Sequence, residues 1–288
     1  MMASPVKVSK HQYMNEPTQQ ENLTQIRNTF NMAADYFDDP ALPFWNYFGQ
    51  KTVNYLNLQP GNSVLDVCCG SGAATIPAAL VVGSTGKVIG VDLADALLEL
   101  ARNKVSQNNL ENVELRCADF RELGLPDASF DAVICVFGIF FVADMEAAIR
   151  ELWRMVRPGG KLILLSWGDR VFEPANTFFR GSVRMVRPDL VQATVPWERI
   201  KTPQSFQSLL ASVGITKVEI LNEATTHPLR TPEDWWTMLM GGGYRGVIEQ
   251  LNPVMREQIQ VKNMTYLHSD NIQALDVDVM WAIASKEA

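Results

Sequence analysis

Val64-Leu65-Asp66-Val67-Cys68-Cys69-Gly70-Ser71-Gly72 is an apolar run that carries one carboxylate and ends on two glycines. Its apolar part predicts a strand from Ser63 to Cys68, and beyond the glycine turn a small-residue helix runs through Ala78 towards Val82. The two make a βα unit. Glycine at the turn permits unusual φ angles and the close approach of a ligand to the backbone. Twenty residues beyond Gly72, Asp92 ends the next apolar stretch, Lys87 to Asp92. A carboxylate there can accept hydrogen bonds from both hydroxyls of a ribose. The pair implies a nucleoside ligand; the plainer alternative is a generic glycine turn and an aspartate that caps a helix.

The same rhythm extends outward. Gly83-Ser84-Thr85-Gly86 breaks the chain before the second strand, after which Leu97, Leu98, Ala101 and Val105 recur at helical spacing. Val113 to Arg116 reads as a third strand, Phe130 to Val136 as a fourth, and Met145 to Val156 as a helix stopped by Pro158-Gly159-Gly160. Lys161 to Trp167 is the fifth strand. Repeated β-then-α order with continuous Val/Ile/Leu strands predicts an α/β fold, a parallel sheet covered on both faces with right-handed crossovers. After Trp167 the rhythm breaks: about 168–200 reads as irregular and aromatic-rich, Ser205 to Val213 as a helix and Thr216 to Asn222 as a strand. A second insertion, about 231–272, precedes the last strand, Asp276 to Ser285. The organisation expected is therefore a disordered tail over 1–15, a helical preface over 16–60, and one catalytic domain over 61–288 with two cover insertions. The preface holds a helix from about Thr18 to Phe37 and the aromatic stretch Phe44-Trp45-Asn46-Tyr47-Phe48 before the Pro60-Gly61 turn.

A dinucleotide fingerprint competes for the first turn, because Gly70-x-Gly72 with an acid further on resembles its first half. Two details oppose it. The third glycine position is Thr75, and Asp66 brings negative charge to the place a pyrophosphate would occupy, where a cationic ammonium is favoured. Five segments in order, Asp66 to Gly72, Gly90-Val91-Asp92, Ala118-Asp119-Phe120, Phe130-Asp131 and Arg157-Pro158-Gly159-Gly160, resemble the motifs of class I S-adenosylmethionine-dependent methyltransferases. Within that class the resemblance is to the small-molecule C-methyltransferases of ubiquinone and menaquinone biosynthesis, strong over residues 60–168 and loose elsewhere. It implies a Rossmann-like seven-stranded sheet of order 3-2-1-4-5-7-6 with the last strand antiparallel. It also implies roles towards S-adenosylmethionine. Asp66 and the Gly70–Gly72 backbone serve the methionine end, Asp92 with Leu93 the ribose, Asp119 the adenine amino group, and the Phe120 backbone the ring nitrogen. Cys68 stands where many members have glycine, a position that need only be small. Phe137 corresponds to the residue flanking the methionine moiety, and Tyr36 resembles a tyrosine that closes over the cofactor.

On the acceptor side, Phe140 and Phe141 are candidates for substrate contact, with core packing the equal alternative. In the covers, Trp235 and Tyr244 are candidates beside Phe172, Phe178, Phe179 and Trp197; most of these residues also suit a lid's own core. Gly241-Gly242-Gly243 reads as the hinge of a mobile cover, and aromatic and methionine-rich linings suit an apolar or aromatic acceptor. Methyl transfer from a sulfonium is an in-line displacement, so alignment and water exclusion do most of the work, on the order of 7–11 kcal/mol. A base is needed only if the acceptor must lose a proton, and His227 and His268 are the candidates.

Composition narrows the alternatives. The 288 residues are 47% hydrophobic and carry a net charge of −7 with no Lys/Arg run, which argues against nucleic acid and anionic membranes as partners. The N-terminus lacks the apolar core of a signal peptide and no window is apolar enough to span a bilayer, so the chain reads as cytoplasmic. Cys68, Cys69, Cys117 and Cys135 fall in or beside buried strands without metal-ligand spacing and read as reduced and structural; no metal is expected. The function expected is methyl transfer to a small carbon, nitrogen or oxygen acceptor. The rivals are a noncatalytic adenosylmethionine-binding module, separable only by turnover, and a nicotinamide-dependent oxidoreductase, which Asp119-Phe120 opposes.

Overall fold

The computed structural model describes residues 19–191 and 195–288. The expected disordered tail, the start of the preface at Thr18 and the part of the first cover at 192–194 lie outside them. Seven strands form one sheet in the order β3-β2-β1-β4-β5-β7-β6. They are β1 (Ser63–Val67), β2 (Lys87–Asp92), β3 (Val113–Cys117), β4 (Phe130–Val136), β5 (Val156–Glu173), β6 (Val218–Pro228) and β7 (Ala274–Ser285). The first five run parallel, and β7 is antiparallel to both β5 and β6. This is the seven-stranded order expected from the resemblance. The central strands are buried on both faces, as their unbroken apolar runs require.

Helices α1 (Gln19–Phe37) and α2 (Phe44–Leu56) form the preface, and α3 (Thr75–Val82), α4 (Asp95–Gln107) and α5 (Met145–Met155) follow β1, β2 and β4. Short 3₁₀ turns cover Phe120–Glu122 and Ile139–Phe141. The outer elements are α6 (Ala175–Val186), α7 (Pro203–Ser212), α8 (Glu233–Met240), α9 (Arg245–Ile248) and α10 (Pro253–Ser269). No helix among the described residues is long and apolar enough to cross a membrane.

Several boundaries move. Arg157-Pro158-Gly159-Gly160 does not separate α5 from β5 as a stop turn. Instead β5 starts at Val156 and the four residues bulge out between the pairs Phe130↔Val156 and Ala132↔Lys161. That edge can bulge because it sits at the strand's beginning, where proline's missing N–H breaks no ladder bond. Beyond Trp167 the strand persists to Glu173 because β7 continues to pair with it, Val171↔Val277 and Glu173↔Asp276. The same partner extends β6 to Pro228, so His227 is a strand residue. Of the segment read as irregular, the first residues to Glu173 continue β5 and Ala175–Val186 is α6, and the second insertion folds as α8, α9 and α10.

α1 is anchored to the sheet's carboxyl edge through α4. The Asn31 side chain accepts the Ala96 N–H at 3.0 Å, capping a helix whose own N-cap, Ala94, has no side-chain oxygen. It also lies against α8 and α9, so preface and second insertion meet over the same edge.

Candidate active site

The turn after β1 is built from left-handed residues: φ is +55° at Cys68, +54° at Gly70 and +89° at Gly72. Gly70 N–H donates to Asp92 Oδ2 and Ala94 N–H to Asp92 Oδ1, both at 2.8 Å. One carboxylate at the end of β2 thus fixes the turn after β1 and still has acceptor capacity. Burial pushes the Asp92 carboxyl above its usual range, against the Ala94, Gly70 and Leu93 backbone bonds that hold it down. Leu93 beside it is half-buried.

Asp66 lies inside β1, 1% exposed. Thr75 Oγ1 donates to its Oδ2 at 2.6 Å, and Oδ1 is buried with no partner among the described residues. Burial pushes this carboxyl up to about 7, the Thr75 bond opposing and the nearby Asp92 charge reinforcing the rise. Beyond β3, Asp119 caps the 3₁₀ turn that starts at the buried Phe120, accepting the Arg121 N–H at 3.0 Å and the Arg121 Nε at 2.9 Å. Burial raises its carboxyl, but the bonds from Arg121 outweigh that and leave it below the usual range. Asp119, Asp92 and Asp66 therefore stand in a row at or near the carboxyl ends of adjacent strands β3, β2 and β1.

Aromatic rings continue the row towards β5. A Cβ built on Gly70 would meet the Phe37 ring at 3.4 Å, so the end of α1 roofs the turn. Phe37 stacks on Trp45 at 5.1 Å with planes 3° apart, and Trp45 approaches Phe137 edge-on at 5.7 Å. Phe137, itself at φ +51°, stacks on Trp167 at 3.9 Å. The roof is pinned by Asp38, whose Oδ1 accepts both Ser71 Oγ and Lys104 Nζ at 2.7 Å.

The other sequence-derived candidates are distributed as follows. Cys68 is half-buried against Cys135, whose sulfur hydrogen bond, with burial, pushes the Cys68 thiol well up. Tyr36 does not face Gly70: the residue is 36% exposed and its ring lies 5.7 Å from the Arg245 guanidinium. Phe140 is buried against Trp197, while Phe141 is half-buried with Phe30 edge-on at 5.4 Å. Trp235 is 1% exposed, between Phe172, Phe179 and Asn263, whose Oδ1 accepts its N–H. Tyr244 donates to Asn176 Oδ1 at 2.6 Å. His227 is buried with Phe44 edge-on at 5.5 Å, and burial lowers its pKa. His268 is exposed in the last turn of α10, and Cys117 is exposed rather than buried. Gly241 is a close-packing position: a Cβ there would meet the Tyr36 carbonyl oxygen at 2.7 Å, and its φ of −88° needs no glycine.

Sequence reasoning missed Phe37, Trp45, Trp167 and Thr75. Thr75 was legible as the hydroxyl that replaces a third glycine one turn beyond Asp66. The aromatic roof had a weaker signal, the density of rings in residues 37–48.

The sequence model of the ubiE/COQ5 methyltransferase family matches residues 16–192. A demethylmenaquinone methyltransferase of Bacillus cereus is 34% identical over 151 residues, which are 51% of this chain and 64% of the relative. The chain thus matches less than two thirds of that relative's length. Among solved structures, a putative methyltransferase of Bacillus halodurans superposes with a TM-score of 0.56 at 18% identity, over 83% of this chain and 99% of that one. The [4+2]-cyclase SpnF gives the same TM-score and identity over 94% and 97%. Both likenesses establish the fold alone.

Proposed function

This chain belongs to the ubiE/COQ5 methyltransferase family, and we propose that it binds S-adenosylmethionine along the carboxyl edge of β3, β2 and β1 and methylates a small aromatic acceptor beside β4 and β5. The observation that carries the reading is the row Asp119–Asp92–Asp66, with an unpartnered buried oxygen on Asp66 and aromatic rings continuing the line. It suits an elongated ligand with an adenine, a ribose and a cationic amino acid at its successive parts. Ligands of open α/β sheets sit outside the carboxyl ends of the strands at the switch point, here between β1 and β4.

The residues fit that group. Asp66 Oδ1 is the acceptor for an ammonium, and the ionised form it needs is favoured once a cation is beside it. Asp92 has acceptor capacity left for the ribose hydroxyls. Asp119 accepts the exocyclic amine by sharing its oxygens with Arg121, and the Phe120 N–H serves the ring nitrogen. When bound, the cofactor supplies a methyl group on a positively charged sulfur. Phe37 and Phe137 offer aromatic faces to that charge, about 0.5–2 kcal/mol each, and shut out water. α1, with the second insertion packed on it, forms the cover.

The relatives' name points to a naphthoquinol ring as the first acceptor to test, and the ring-lined walls suit it. Methylation at a ring carbon releases a proton. Of the two histidines, His227 supports the role of base: it is held neutral by burial and touches the cluster through Phe44 and Phe172. Calorimetry with S-adenosylhomocysteine and NAD, followed by incubation of 1,4-naphthohydroquinone with labelled cofactor, tests the reading. Binding of S-adenosylhomocysteine and not NAD, with label in 2-methyl-1,4-naphthohydroquinone, is expected. Preference for NAD or absence of turnover on aromatic acceptors would overturn it.

A further inference from the structure

We propose that the indole N–H of Trp45 donates to an oxygen of the methyl acceptor and so orients its ring in the site. The inference rests on the methyl-transfer reading above and assigns the acceptor's orientation to a residue of the preface. Trp45 Nε1 is buried and has no hydrogen-bond partner among the described residues. Two other buried tryptophans are satisfied: Trp281 Nε1 donates to Thr52 Oγ1 at 2.8 Å and Trp235 Nε1 to Asn263 Oδ1. A buried N–H without a partner costs about 1–3 kcal/mol, and phenylalanine would stack on Phe37 without that cost.

Position says what the donor is for. Trp45 lies between Phe37, which roofs Gly70, and the stack of Phe137, just beyond β4, on Trp167, within β5. It is on the acceptor side of the row of carboxylates. The rings that surround it, Phe37, Phe44, Phe137 and Trp167, carry no cation. One neutral donor in an apolar wall matches a neutral hydroxyl or carbonyl.

The test is W45F, which keeps the stack and deletes the N–H, titrated with 2-naphthol and with naphthalene, each with and without S-adenosylhomocysteine. Expected is a loss of about tenfold in 2-naphthol affinity, with naphthalene and S-adenosylhomocysteine binding unchanged. Equal 2-naphthol affinity in both proteins overturns the proposal, and so does weakened S-adenosylhomocysteine binding with 2-naphthol unaffected, which would give the N–H to the cofactor's carboxylate. Failure of S-adenosylhomocysteine to bind the wild type would overturn the methyl-transfer reading, while the arms without it still report on Trp45. Should W45F not fold, ¹⁵N-tryptophan spectra of the wild type answer the same question. The Trp45 indole resonance, assigned through its contacts to Phe37 and Phe137, shifts downfield with 2-naphthol and not with naphthalene. No shift with either overturns the proposal.

Discussion

Thr75 Oγ1 donates to Asp66 Oδ2 at 2.6 Å, while the other oxygen of the same carboxylate is buried without a partner. The group is half-satisfied, and its pKa of about 7 records the cost. Against a usual value of 3.8, this penalises the ionised form by about 4 kcal/mol. The folded protein thus holds the Asp66 proton more tightly than the unfolded chain does. Between pH 4 and 7 the folded state binds more protons, so ligand-free stability falls as pH rises through that window and levels off above it. Asp66→Asn should flatten this dependence and leave the ligand-free protein more stable than wild type at pH 8. A cationic ligand reverses the preference, so S-adenosylhomocysteine affinity should rise from pH 5 to pH 8 in the wild type and stay flat in the variant. Melting temperatures and calorimetry across the range check both.

Asp92 joins two turns through Gly70 and Ala94, and is proposed to hold the ribose as well. Asp92→Asn keeps an acceptor oxygen and removes the charge, so the loss should fall on charge-assisted bonds, about 1.5–3 kcal/mol. The dissociation constant for S-adenosylhomocysteine should rise roughly tenfold to a hundredfold. Turnover at saturating cofactor should change far less, and steady-state kinetics separate the two.

How much of this was legible depends on where the information lies. β1, β4 and the centre of β5 could be read directly, because strands buried on both faces must be apolar throughout, and Asp66 and Asp92 stand out against such runs. The length of β6 could not, since it follows from pairing with β7 to Ala274 and leaves no mark of its own. α6 was read as irregular because Gly181 and β-branched residues lower its helix propensity; packing against β5 and α10 overrides that. Phe37 meets Gly70 across more than thirty residues of sequence, a contact no local pattern announces. The tyrosine beside it was the family-like choice, yet helix phase turns Tyr36 to Arg245 and Phe37 to the turn.

Asp119 and Arg121 form a partly buried pair, each side chain 17% exposed, at the place assigned to the adenine amine. Arg121 competes for the oxygens that the ligand needs. Asp119→Ala should therefore weaken S-adenosylhomocysteine about tenfold, whereas Arg121→Ala should tighten it about threefold, the small gain matching the modest worth of such pairs. Opposite signs from two ends of one ion pair are the diagnostic, read by calorimetry at low and high salt.

The three glycines after α8 separate two accounts of the cover. A hinge would use all three for freedom, so alanine at any of them would slow acceptor turnover without changing stability. The packing differs sharply among them. A Cβ at Gly241 meets the Tyr36 carbonyl oxygen at 2.7 Å and Leu42 at 2.8 Å, whereas at Gly243 the nearest atom is the Phe141 ring at 3.9 Å. The Tyr36 oxygen belongs to the α1 backbone and cannot swing aside as a flexible side chain would. Gly241→Ala should accordingly push α8 off α1 and cost about 1–3 kcal/mol of stability, the usual range for overpacking a tight site. Because α1 also carries Phe37 over Gly70, the same variant should weaken S-adenosylhomocysteine binding as well as acceptor use. Gly243→Ala should leave melting temperature, cofactor affinity and turnover near wild type. If Gly243→Ala instead slowed turnover as much as Gly241→Ala while both melted like wild type, the glycines would be a hinge and the close contact with Tyr36 incidental.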